Sequence, residues 1–203
     1  MAQLQIYGIA QSRTFRTLWL ALELGLDYEQ IELGFGEDGV RSPSFLAINP
    51  NGKVPTIKDG DFVLWESMAI NLYLAKKYGR GLYPSDLEGE AKSWQWSFWT
   101  VTEIDQPIIA WASNSFVLPA EKRDAAKAAD ALAQLQRPLG VLDQTLAASP
   151  YLLGAGFTVA DLNLASAMFR ALKMDLGALP NVKAWLDRCY ARPAAIAAVK
   201  KRS

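Results

Sequence analysis

The hydrophobic period of this chain changes once, near residue 80, and that change restricts what it can fold into. Before it, short alternating segments take turns with helical ones. Residues 4–9, LQIYGI, alternate and are rich in aliphatic and aromatic side chains, which predicts a strand. Over residues 13–24 the spacing becomes helical: Phe15, Leu18, Trp19 and Leu22 share a face, and Gly25 supplies a stop. Residues 27–33, DYEQIEL, predict a second strand. A glycine-rich loop follows, and SPSFLAI carries Pro43 in the first turn of a short helix. The turn chemistry of NPNGKVPTI leads into a strand at 56–58, and DGD at 59–61 separates it from 62–64 as a hairpin. Residues 66–78 are helical, with Ile70, Tyr73, Leu74 and Tyr78 on one face. The order is βαβ, a short helix, then ββα.

Beyond the linker-like stretch GRGLYPSDLEGE at 79–90, no segment reads as a strand. Residues 91–116 form a long, aromatic-rich helical stretch. Residues 125–146 place Leu132, Leu135, Leu139, Leu142 and Leu146 in a 3-4-3-4 spacing, with Pro138 inside the pattern and expected to kink it. After the break at SPYLLGAGF, Thr158 and Asp161 fit a capping box with Asp in place of the usual Glu, and Phe157 is placed to staple onto the next turn. Two shorter helices are expected near 182–191 and 194–200. The chain therefore divides into an α/β domain over residues 1–80 and an all-α helical bundle over residues 81–203.

Composition removes whole classes of chemistry. There are no histidines, which excludes a Ser-His-Asp triad, a Cys-His pair and histidine metal sites. The single cysteine, Cys189, excludes an intramolecular disulfide, a CxxC redox pair and a zinc cluster. A nucleophile stronger than a hydroxyl, amine or carboxylate therefore has to arrive with the substrate. Lys+Arg and Asp+Glu are both 21, so no basic field exists for nucleic acid or an anionic membrane. No apolar run approaches membrane-spanning length and the first residues carry no secretory pattern, so a cytoplasmic setting is the expectation.

Two features in VPTIKDGDFVLWESMAI need explaining. A proline stands second in a segment that should pair as a strand, and Glu66-Ser67 puts a carboxylate beside a hydroxyl where a helix starts. The first is compatible with a strand-start proline and the second with simple capping. Taken together with SRTFRTLWLALELGLDYEQIEL, FLAINPNGKVPTI, DGDFVLWESMAINLYLAKKYG and YLLGAGFTVADLNLA, the chain resembles the cytosolic-type glutathione transferases. The likeness is to bacterial members with phi- or theta-like N-terminal motifs, and it covers nearly the whole length. It implies a thioredoxin-like N-terminal domain, a helical C-terminal domain and a homodimer. Glutathione is the implied cosubstrate, with no permanently bound cofactor and no metal.

The resemblance also implies residue roles. A cis Val54-Pro55 bond would turn the Val54 backbone toward the cysteinyl part of glutathione, as if adding a strand. Ser67 and the helix N-terminus suit the γ-glutamyl carboxylate, with Glu66 at the ammonium end. Lys53 and Arg41 are candidates for glutathione's carboxylates. The sulfur falls to the loop IAQSRTFR. Ser12 is the first candidate catalytic group, with Arg13 and Thr14 as alternatives near the sulfur. Lowering a thiol pKa by about 2 units takes about 2.7 kcal/mol, and one hydroxyl donor to a charged acceptor supplies about 1.5–3 kcal/mol. Trp99 and Phe116 are candidates for a hydrophobic substrate pocket between the domains, and Asp105 for a contact across the dimer. The function implied is attack of a glutathione thiolate on a hydrophobic electrophile. The alternatives are a peroxidase or isomerase of the same fold, or a non-catalytic module.

Overall fold

A computed structural model describes residues 3–202. The chain separates into two compact units. One comprises the described residues of Met1–Tyr83 together with those of Ala191–Ser203, and the other comprises Pro84–Tyr190. The sequence division leaves residues 191–203 in the helical half, whereas in the structure they cluster with the first unit.

In the first unit the expected order appears: β1 (Leu4–Tyr7), α1 (Thr14–Glu23), β2 (Tyr28–Ile31), α2 (Pro43–Leu46), β3 (Thr56–Asp59), β4 (Phe62–Trp65) and α3 (Ser67–Tyr78). The strands form one mixed sheet in the order β2-β1-β3-β4. β1 runs parallel to β2 and antiparallel to β3, and β3–β4 is the antiparallel hairpin. This is the thioredoxin-like arrangement. Side chains alternate across β1, so Leu4 and Ile6 face one side and Tyr7 the other. Tyr7 packs with Val40 and Phe45, its ring 5.8 Å from that of Phe45. Helices α1 and α3 pack against each other.

One buried carboxylate ties α3 to β3. Asp59, 4% exposed, accepts hydrogen bonds from Tyr73 Oη (3.0 Å), Tyr78 Oη (3.1 Å) and Lys77 Nζ (2.6 Å). Burial alone would raise its pKa, but hydrogen bonds from Lys77, Tyr73 and Tyr78 outweigh it and hold the carboxyl below its ordinary range. The same pair, mainly through the hydrogen bond to Asp59, raises Lys77 above the ordinary lysine value.

In the second unit the helices are α4 (Leu87–Trp99), α5 (Asp105–Ala112), α6 (Ala125–Ala147), α7 (Val159–Ala167) and α8 (Pro180–Tyr190); α9 (Pro193–Lys200) belongs to the first unit. Helix α4 starts earlier than expected because Asp86 caps it, accepting from Gly89 N at 2.8 Å. The stretch read as one helix over 91–116 is interrupted by π-helical turns at Thr100–Ile104 and Ser113–Val117. Both have identifiable causes. Pro107 has no N–H for the Glu103 carbonyl and its ring crowds that turn. Asn114 Nδ2 donates to Ala110 O at 2.9 Å, occupying the carbonyl that its own backbone would use.

Helix α6 runs through Pro138 as one 23-residue element. Its buried face is Ala131, Leu135, Pro138, Leu139, Leu142 and Leu146. Leu132, expected on that face, is 39% exposed, because the contact line passes one residue earlier, through Ala131. The capping box at α7 forms. Asp161 Oδ2 accepts from Thr158 N and Oγ1 (both 3.0 Å), and Oδ1 accepts from Leu152 N and Trp185 Nε1 (both 2.9 Å). Burial raises the Asp161 pKa despite these four donors. A bridge between Tyr151 and Gly154 is the isolated β-pairing outside the sheet among the described residues.

The Asp59 network gives a pH-dependent prediction. A carboxylate with a depressed folded pKa stabilises fully above its unfolded value of about 3.9, and that contribution fades as pH falls through the folded value. Asp59→Asn should cost about 2–4 kcal/mol at neutral pH. Urea unfolding at pH 7 and pH 3 should show the gap between wild type and variant shrinking toward the acid end. An equal gap at both pH values would exclude the carboxylate's charge as the source.

Candidate functional site

Gly8 follows β1 at φ +125°, a backbone conformation that L side chains rarely adopt. A Cβ at this position would overlap Thr14 Oγ1 and the Val54 side chain. Gly8 is held there by Gly8 N to Ile31 O (2.8 Å) and by Gln30 Nε2 donating to Gly8 O (3.0 Å). The missing side chain therefore lets the β1–α1 loop sit directly against Val54.

In that loop Ser12 is half-buried and well connected. Its Oγ lies 2.7 Å from Ile9 O and 2.9 Å from Thr14 Oγ1, and it accepts from Thr14 N at 3.1 Å. Ser12 thus does help to cap α1, while its hydroxyl hydrogen is directed at Ile9 O or Thr14 Oγ1. Arg13 occupies the N-cap position of α1 and is exposed. Thr14 is fully buried, with Oγ1 3.5 Å from Tyr7 O, so its hydroxyl is not presented outward. Among the three loop candidates, Ser12 is the half-exposed hydroxyl.

The Val54-Pro55 bond is cis. Among the described residues the backbone N–H and C=O of Val54 find no hydrogen-bonding partner, which leaves a short open strand edge beside the Ser12 loop. Asn49 shapes that edge from below. It is 1% exposed, donates to Lys53 O (2.8 Å) and Thr56 Oγ1 (2.9 Å), and accepts from Asn51 N (3.0 Å). Lys53 keeps its side chain exposed. Arg41 is exposed and pairs with Glu37 at 3.4 Å, just ahead of α2, which Ser42 caps.

Glu66 stands at the N-cap of α3 with φ +75° and ψ +112°, a conformation that costs about 1–3 kcal/mol for a side chain with a Cβ. The Glu66 carboxylate is exposed, and the first N–H groups of α3, as at any helix start, have no intrahelical acceptor. Ser67, 5% exposed, accepts from Arg16 Nη1 at 3.3 Å. Arg16 is itself 5% exposed, and Asn71 Nδ2 of α3 donates to Arg16 O at 3.3 Å. The start of α1 is thus joined to the start of α3. Gly8 brings Val54 to the Ser12 loop and Arg16 brings Ser67 to the same end of α1, so four of the sequence candidates converge: Ser12, Val54, Pro55 and Ser67.

The remaining candidates lie in the second unit. Trp99 is half-buried and meets Trp96 edge-on at 5.1 Å. Phe116 is half-buried, meets Trp111 edge-on at 5.5 Å, and carries Lys173 Nζ 4.7 Å above its ring. Asp105 is 4% exposed at the start of α5. Arg16 and Asn49 were missed from the sequence. Arg16, between Phe15 and Thr17, reads locally as a surface charge, and only its distant partner Ser67 marks it, whereas Asn49 stands in the turn-forming NPNG, a local signal for a structural role.

Among the described residues no group of three or more acidic, histidine or cysteine side chains is placed to hold a metal ion. No helix among them is long and apolar enough to cross a membrane.

Comparison with known proteins gives a consistent result. Residues 2–76 match the family model described as the glutathione S-transferase N-terminal domain, and residues 105–193 match the C-terminal domain. The chain is 35% identical to glutathione S-transferase 3 of Zea mays over 96% of its own length and 92% of the relative's. It is 32% identical to glutathione S-transferase GstB of Escherichia coli K12, covering 93% and 94%. A theta-class glutathione S-transferase of Xanthomonas axonopodis pv. citri, solved with glutathione bound, superposes with a TM-score of 0.91 at 36% identity, covering 98% of both chains.

Strain at Glu66 is testable by itself. Glu66→Gly should relieve it and stabilise the protein by about 1 kcal/mol. Thermal unfolding should read this as a higher Tm, and a lower Tm would show that the carboxylate makes compensating contacts.

Proposed function

Because the chain belongs to the glutathione S-transferase family, and is a glutathione transferase using glutathione as cosubstrate, we propose that it ionises the glutathione thiol at Ser12 and directs the thiolate at a hydrophobic electrophile. The observation that carries this reading is the convergence of the Ser12 loop, the open Val54 edge and the start of α3 through Gly8 and Arg16. The cysteinyl backbone of glutathione pairs with Val54 N–H and C=O beside Pro55. Its γ-glutamyl end meets Ser67 and the first N–H groups of α3, with Glu66 toward the ammonium. Arg41 and Lys53 are the exposed cations assigned to the carboxylates. The thiol then lies toward Ser12, with Arg13 as the neighbouring cation.

The Ser12 hydroxyl donates to the sulfur and stabilises it as thiolate, and the N-terminal end of α1 adds to the field. The thiol proton leaves to solvent. With a chloronitrobenzene-type acceptor, the sulfur bonds to the ring carbon and chloride departs. The apolar acceptor is assigned to Trp99 and Phe116. A homodimer is proposed as the working assembly, supported by exposed aromatic residues on β4 (Phe62 and Trp65) and on α4 (Trp94 and Phe98).

Calorimetric titration with glutathione, a chloronitrobenzene conjugation assay and the pKa of bound glutathione test the reading together. Wild type should bind glutathione and conjugate it. Ser12→Ala should bind with similar affinity while raising the thiol pKa by about 1–2 units. Binding without conjugation over a broad acceptor panel would overturn the transferase assignment, and an unshifted pKa would remove Ser12 from the chemistry.

A further inference from the structure

Helix α9 packs against α1 within the first unit. At its start, Arg192 Nε and Nη2 donate to Glu23 Oε1 and Oε2 at 2.7 Å each, a bidentate pair at the far end of α1. Just past its end, Lys201 lies 5.9 Å above the Tyr28 ring. Arg202 reaches the opposite end of α1. Its Nη1 donates to Ala10 O at 2.9 Å and Ser12 O at 3.3 Å, its guanidinium lies 5.1 Å from the Phe15 ring centroid, and Gln11 Nε2 donates to Arg202 O at 3.2 Å. The segment thus grips α1 at both ends, and its second grip falls on the loop that carries Ser12.

We propose that Arg202 is a positioning residue for the thiol-activating loop: it fixes the carbonyls of Ala10 and Ser12 and so sets the direction of the Ser12 hydroxyl. The inference rests on the Ser12 reading above. The loop's own hydrogen bonds centre on Ser12. Ser12 N bonds to Ile9 O at 3.1 Å and Phe15 N to Ser12 O at 3.2 Å, but the Ala10 carbonyl has Arg202 as its hydrogen-bond partner among the described residues. Without the guanidinium, Ala10 O turns to water, and the residues between Gly8 and Ser12 lose the tie that joins the Ala10 and Ser12 carbonyls, keeping among themselves the Ser12–Ile9 bonds. The loss reaches the sulfur in two ways. Ser12 Oγ samples directions away from the thiol, and a half-buried positive charge leaves its vicinity. Both disfavour thiolate.

The test is the pH profile of glutathione ionisation on the enzyme, read by the ultraviolet absorbance of the bound thiolate, beside calorimetric glutathione affinity and Tm. Arg202→Ala should raise the bound thiol pKa by about 0.5–1 unit, equivalent to about three- to tenfold less thiolate below the pKa. kcat should fall by the same factor in that range while KM for glutathione changes less than about twofold. Arg202→Lys should fall between, because an ammonium restores the charge without the planar fork. Lys201→Ala, which removes the same charge one residue away without touching the loop, should leave the pKa unchanged. An Arg202→Ala enzyme with a wild-type pKa overturns the proposal even if its Tm falls. An equal shift in Lys201→Ala overturns it in favour of a general charge effect. If Arg202→Ala does not accumulate folded, Arg202→Gln decides: its neutral amide cannot hold both carbonyls, and a wild-type pKa refutes the clamp. Ser12→Ala separates the two readings. A wild-type pKa there overturns the role of Ser12, whereas a shift there without one in Arg202→Ala overturns the role of Arg202.

Discussion

The site depends on the absence of a side chain at Gly8. Three elements meet there: the end of β1, the first residue of α1 through Thr14 Oγ1 and, from forty or more residues further along the chain, the Val54 side chain. Any Cβ would push the Ser12 loop away from the Val54 edge. Because Gly8 sits at φ +125° as well, both space and conformation demand glycine. The proposed chemistry needs the same closeness. A thiol has to reach a hydroxyl in the loop while its parent peptide pairs with Val54, and the cysteinyl side chain spans only a few ångströms.

The second half of the site is held differently. Val54-Pro55 leads into β3 and Glu66-Ser67 opens α3, so both belong to one continuous β3–β4–α3 unit. Asp59 at the end of β3 takes hydrogen bonds from Tyr73, Lys77 and Tyr78 on α3, which fixes the helix against the hairpin. The strained φ of Glu66 is sustained by this frame, since α3 is tied at its far end and cannot relax by sliding. A rigid far end and a strained near end together point the open N–H groups of α3 in a fixed direction.

Much of this was legible in the chain. The change of period near residue 80, the hairpin at DGD and the Thr158–Asp161 capping box rest on local signals, which short stretches of sequence carry, whereas the cis bond at Val54-Pro55 was expected only through the family resemblance, since the proline by itself also fits a strand start. What escaped depends on partners distant in sequence or on competition within a helix. Arg16 looks like a solvated charge until Ser67, 51 residues on, is placed beside it. Arg202 is separated from Ala10 by 192 residues, and a division at residue 80 assigns them to different domains. The π-turns need Pro107 and Asn114 to be weighed against an otherwise unbroken helical pattern. The burial of Thr14, which sets it apart from the half-exposed Ser12, is not a local property and so was not legible from the loop alone.

With no histidine and one buried cysteine, the protein has neither an imidazole base nor an exposed thiol, and on the proposed reading activation of glutathione falls to hydrogen bonds and fields. The Ser12 hydroxyl is suited to that on energetic grounds. In the structure its hydrogen is directed at Ile9 O or Thr14 Oγ1. To serve a thiolate it has to leave that acceptor, and a lone buried carbonyl would then cost about 1–3 kcal/mol. Ile9 O also accepts Ser12 N at 3.1 Å, so releasing the hydroxyl leaves it paired. On the proposed reading, the exchange trades a neutral hydrogen bond for one to an anion, roughly twice as strong, without orphaning a group. The loop geometry that Arg202 and Gly8 maintain is what keeps both acceptors within reach of one hydroxyl.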